Sequence, residues 1–160
     1  MLGTLLPGVQ HVQNIHPLVV HFPIAFLPVA ALFYLLAWLT GKESCGWMAL
    51  WLLGLGVLGA AAAVVTGLYG AEGVMVSPSV REHLLVNHER LMLAVLGLSV
   101  ILLVWAAIAH PMPLKGGVVF LILLAVLSAG LAVGADFGLR MVYDYNAGGD
   151  ACRQPIDFNQ

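Results

Sequence analysis

The side chains able to do chemistry in this sequence are few, and histidines lead them: His11, His16, His21, His83, His88 and His110. Imidazole ligates copper, zinc, iron and nickel, and its charge changes near neutral pH. His11, His16 and His21 lead into one long apolar stretch, and His83 and His88 lead into another. His21 and His88 each fall near the first turns of their stretches. Two imidazoles at matched depth can ligate one metal, and haem iron held by two histidines is one form of that chemistry. His16 with His83 forms a second, more exposed pair. On a continuous helix, five residues of separation turn these two about 140° away from His21 and His88. Arg81, Arg90 and Arg140 suit the carboxylates of haem propionates.

Glycines supply the room that a flat macrocycle needs. Gly67, Gly70 and Gly73 stand at the end of one apolar stretch, and Gly130, Gly134 and Gly138 form a GxxxGxxxG row in another. Plainer readings stand beside these. Histidines at a membrane interface can be solvated there, rows of small residues let membrane helices approach closely, and Asp136 and Arg140, four residues apart, can neutralise one another.

The elements that must position these groups follow from composition. Of 160 residues, 61% are hydrophobic and 9% are charged, with a net charge of −2. Soluble domains run at about 45–50% apolar and about 25% charged. A soluble fold of this size has too little polar surface here to face water. The charge balance also excludes the basic footprint of a nucleic-acid binder. The bilayer remains as the partner that every part of the chain implies.

Charge-free runs cover residues 1–41, 44–71, 91–114 and 116–135. A hydrocarbon core of about 30 Å takes roughly 20 residues of helix. The sequence therefore predicts an all-α integral membrane protein, a four-helix up-down-up-down bundle with helices near 17–39, 47–69, 80–109 and 117–140. Residues 1–145 form a single four-helix transmembrane domain, and 146–160 form a short polar C-terminal tail. The runs are continuous rather than alternating and are too long for barrel strands of about 10 residues. The first run lacks the basic start of a cleaved signal peptide and is longer than its apolar region.

Local signals place the helix ends. Pro17 suits a first turn, Pro28 is expected to kink the first helix, and Ser79-Val80-Arg81-Glu82 reads as a capping box. Residues 40–46 and 110–116 are short links, which make neighbouring helices antiparallel. The first and third helices are then diagonal. Five of the six histidines, with most of the charges, gather at one end of the bundle. Cys45 and Cys152 fall at opposite ends and cannot pair within one chain, and the absence of CxxC and CxxCH gives no support to a c-type haem or a thiol zinc site.

The string Asn14-Ile15-His16-Pro17-Leu18-Val19-Val20-His21-Phe22-Pro23-Ile24-Ala25 resembles the signature of a bacterial membrane family, domain of unknown function 2231. His88 fits the same family, as does the 134–143 segment that contains Asp136, Gly138 and Arg140. The resemblance implies four membrane helices and a redox or haem context, because some members are fused to c-type cytochrome modules. It implies the bacterial inner membrane, with the histidine-rich side and both termini periplasmic. A plain count of Lys and Arg points the other way, since four Arg lie on the histidine side and two Lys opposite.

Three functions fit these readings. The first is a membrane electron-transfer protein or subunit of a redox complex, binding haem b through His21 and His88, with Arg90, Arg140, Gly67, Gly70 and Gly134 around it and c-type cytochromes or other redox subunits as partners. The second binds or transports a transition-metal ion through His16, His21, His88 and Glu72 or Glu89, with His83 as a further candidate ligand. The third is a cofactor-free structural subunit of a membrane complex. An electron-transfer or accessory role suits the sequence better than a stand-alone enzyme. Neither GxSxG nor HExxH occurs, and the second to fourth spans carry no ionisable residue at mid-span.

Overall fold

A computed structural model describes residues 15–74, 76–109, 111–113, 116–145 and 147. Four helices are long and apolar enough to cross a membrane: α1 (His16–Thr40), α2 (Glu43–Ala71), α3 (Pro78–Ala109) and α4 (Gly117–Tyr143). No strand occurs among the described residues. The protein is a multi-pass membrane bundle. Helix α1 packs along α2, α2 along α3, α3 along α4, and α4 returns to α1. Helices α1 and α3 are therefore diagonal, as the short links require. The expectations for His11, His110 and most of the 146–160 tail lie outside the described residues.

The α1–α2 link is shorter than the seven residues expected. It consists of Gly41 and Lys42, and Gly41 ends α1 at φ 66°, in the left-handed region that glycine enters without strain. The first helix also has an interruption that the sequence did not place. The helical run continues through Pro28 but is interrupted at Val20, between His16–Val19 and His21–Thr40. Pro23 has no N–H to return to the carbonyl of Val19, which weakens the ladder there.

Helix α3 starts differently too. Its cap is Ser77, whose hydroxyl accepts from the N–H of Val80 at 3.4 Å, with Pro78 at the first helical position. The capping box expected at Ser79 is not the one used. Pro is preorganised for that first position, and this choice moves the helix start two residues earlier. A π-helical turn follows at Arg81–Leu85, and Asn87 donates from its side chain to the His83 carbonyl at 2.9 Å. Arg81 donates to the carbonyls of Ala71 and Val74 at 3.2 and 3.0 Å, satisfying backbone acceptors at and beyond the end of α2. Ser77→Ala is expected to cost about 0.5–2 kcal/mol of unfolding free energy, as lost caps do. Ser79→Ala should cost measurably less. Denaturant unfolding in micelles compares the two.

The core consists of one stripe per helix, stepping alternately by three and four residues. In α1 it runs Pro23, Leu27, Ala30, Tyr34 and Ala37, and in α3 it runs Val95, Ser99, Leu102 and Ala106. The α2 stripe is mostly small, with Gly46, Ala49, Gly56, Ala60 and Ala63. A Cβ on Gly56 would press into Leu27, and one on Gly59 would meet Phe22 and Pro23. Small residues thus let α1 and α2 approach closely, which is how membrane helices gain packing without a hydrophobic drive. At one end Tyr34, Phe120 and Trp105 form edge-to-face contacts. At the other, Ala71, Val80, Leu84, Leu85 and Met141 make a second apolar cluster.

Candidate functional site

Between the main core and this end cluster lie two histidine rings. His16, in the first turn of α1, and His88, near the beginning of α3, meet across the bundle diagonal. Their ring centroids are 6.4 Å apart and their planes are nearly perpendicular, at 88°. Both rings are partly buried. Each belongs to the core stripe of its helix. His16 stands seven residues before Pro23, and His88 seven before Val95, so both follow the three-and-four rhythm of buried positions.

Backbone carbonyls hold both rings. His88 Nδ1 lies 2.8 Å from the Gly134 carbonyl. A carbonyl only accepts, so Nδ1 carries the proton and the lone pair of the neutral ring is on Nε2. His16 Nδ1 lies 2.9 Å from the Ala63 carbonyl and 3.2 Å from the Thr66 hydroxyl. Metal-binding histidines are characteristically fixed this way, with one ring nitrogen bonded to backbone and the other turned to the metal. Two imidazoles on opposite sides of one metal, with bonds of about 2.0–2.1 Å, have ring centres roughly 6 Å apart. A direct in-line hydrogen bond of about 2.9 Å would bring them to about 5 Å. The observed 6.4 Å with perpendicular planes is longer than such a bond and lies in the ordinary range of an edge-to-face ring contact.

The glycines serve the rings directly. A Cβ on Gly67 would stand 2.9 Å from His16 Cε1, so α2 admits the ring only because position 67 has no side chain. Met92 occupies the space beside Gly134, and a Cβ built on Gly138 would meet His88 Cε1 at an ordinary 3.7 Å. Gly70 belongs instead to the last turn of α2, where its carbonyl accepts from Gly73. Among the described residues no group of three or more His, Cys, Asp or Glu side chains gathers around a common point. The two imidazoles are the histidine side chains that the fold brings together.

Residues 12–151 match the family described as a predicted membrane protein (DUF2231). The chain belongs to that family. No curated protein and no solved structure matches it.

In this DUF2231 protein the histidine expected opposite His88 is not the one found there. His21 is exposed, and His16 takes its place against His88. The reason is helical phase. Five residues separate His16 from His21, so the two point in different directions, and the stripe of Pro23 and Leu27 selects the first. His83, expected to pair with His16, is exposed as well, in the π-helical turn. Arg90 is exposed, and Arg81 is engaged with carbonyls. Arg140 pairs with Asp144 at 3.7 Å rather than with Asp136. Both pairings are four residues long, and α4 extends to Tyr143, which brings Asp144 to its end. Thr66 was invisible to sequence reasoning. Nothing marks it as a histidine partner except that it lies one residue before Gly67.

Proposed function

We propose that the protein is a membrane electron-transfer subunit that holds haem b through His16 and His88. The observation that carries this reading is the perpendicular pair of backbone-held imidazoles at 6.4 Å. The donor chemistry fits the group. Haem would need only two side chains from the protein, and His16 and His88 would hold it, whereas zinc takes three or four protein ligands. Bound haem would supply a one-electron couple close to one membrane face. His16 and His88 orient that group, the carbonyls of Ala63 and Gly134 hold the rings, and the apolar layers on either side limit water. Arg90 and Arg140, at the same end, suit the propionates.

The family resemblance supports a periplasmic histidine end in the bacterial inner membrane, with c-type cytochromes as redox partners. A second reading, a single transition-metal ion between the rings, is favoured by one observation. His16 and Met92 already fill the space beside Gly67 and Gly134, so the niche is compact. One preparation separates the two. Protein purified from haem-replete cells is expected to give a reduced-minus-oxidised haem b spectrum. A colourless preparation with about one metal ion per chain would establish the second reading, and a preparation with neither would overturn both.

A further inference from the structure

His21 is exposed, and it makes no hydrogen bond or ion pair among the described residues. Its depth makes that unusual. Gly67 of α2 faces His16, Gly59 faces Phe22 and Pro23, and Gly56 faces Leu27. His21 is therefore level with the stretch of α2 between Gly59 and Gly67. Tyr69, 80% exposed, and Trp47 mark the aromatic belts of α2, about 33 Å apart, which fits a hydrocarbon core of about 30 Å. By the same rise, His21 lies about 10 Å inward from the level of Tyr69. No other His, Asp, Glu, Lys or Arg lies so deep in a span, since residues 44–71, 91–109 and 117–135 hold none. Ionisable side chains inside membranes almost always face protein, because hydrocarbon offers them no polar partner. His21 faces away from its own bundle.

We propose that His21 faces a second copy of this chain: the outer face of α1 is a two-fold dimer interface in the membrane, with the two His21 rings as its polar contact. The face is a continuous seam at three-and-four spacing, formed by His21, Ala25, Pro28, Leu32 and Leu35, all exposed. Two helices interlock along such a seam, and one polar residue within it sets register and partner number. Copies inserted in the same direction are related by an axis along the membrane normal. A residue near that axis meets its own equivalent at the same depth. Imidazole suits a meeting with itself, because a neutral ring donates from one nitrogen and accepts at the other. Ala25, one turn deeper, is small enough to let the two backbones approach.

Cysteine cross-linking of the full chain in lipid bilayers tests the contact. In a background of Cys45→Ser and Cys152→Ser, Ala25→Cys should form a disulfide-linked dimer on mild oxidation. Ala129→Cys, exposed on α4, should not. Energy transfer between labelled copies, followed as the protein is diluted with lipid, measures the strength of association. It should be about 3–20-fold weaker for His21→Leu, the range that single interhelical hydrogen bonds span in membranes. His21→Gln keeps a donor and an acceptor and should stay near wild type. Leu at this outward position is an ordinary lipid-facing residue, so an unchanged helical spectrum is expected. A chain that stays monomeric at every dilution overturns the proposal, whatever other partner His21 then meets. So does cross-linking of Ala129→Cys equal to that of Ala25→Cys, or association of His21→Leu equal to wild type.

Discussion

Purified His88→Ala protein is expected to lose the reduced-minus-oxidised haem signal entirely, and His16→Ala protein to lose it equally. His21→Ala should retain it. In the proposed reading, either variant would remove one of the two imidazoles that would hold the haem. The His21 variant is the decisive arm, because His21 stands in the same family-like string as His16 and differs from it chiefly in facing outward. Removing an exposed imidazole leaves the Ala63 and Gly134 bonds intact. Loss of signal in His21→Ala with retention in His16→Ala would overturn the assignment of the pair. The measurement is one visible spectrum per variant, normalised to protein and accompanied by a check that each variant is folded in micelles.

The second large effect is expected from Gly67→Val. Already its Cβ would lie 2.9 Å from Cε1 and 3.2 Å from Nδ1 of His16. A ring held by two short contacts to the same turn of α2 cannot move aside without breaking them. Gly67→Val should therefore displace His16 and abolish binding, beyond the about 1–3 kcal/mol of stability that overpacking costs. Gly97→Val provides the size-matched control. Gly97 is exposed, and nothing lies within 4 Å of a Cβ built there. It should leave binding and stability close to wild type. Equal loss in both variants would mean that added bulk in the helices, rather than contact with His16, is responsible.

Much of the architecture was legible beforehand because the bilayer imposes it. Four charge-free runs of the right length, joined by short links such as residues 40–46, leave little choice but an antiparallel bundle with α1 and α3 diagonal. Backbone groups in hydrocarbon must be satisfied within each helix, which makes span number a question of length and polarity. The clustering of histidines at one end followed from the same counting. The finer choices failed at particular residues. Ser77 rather than Ser79 caps α3, because Pro78 favours the first helical position. The interruption of α1 at Val20, upstream of Pro23, was not expected. Arg140 meets Asp144, because α4 continues past residue 140 to Tyr143.

The largest failure, His21 for His16, has a more general cause. In a soluble helix the buried face announces itself by contrast with a polar one. Here the outward face of α1 carries Phe22, Leu32 and Leu36 while the inward face carries Leu27, Ala30 and Tyr34, so both are apolar. Lipid tails ask for no polarity, and hydropathy therefore carries no phase. The sequence by itself determined that this is a four-span membrane protein with His16, His21, His83 and His88 at one end. Only the tertiary structure decided which of them meet, because the rotation of each helix is set by close packing: Gly56 against Leu27, Gly67 against His16, Met92 against Gly134. Those contacts depend on the partner helix, and turn His16 and His88 inward while His21 and His83 face out.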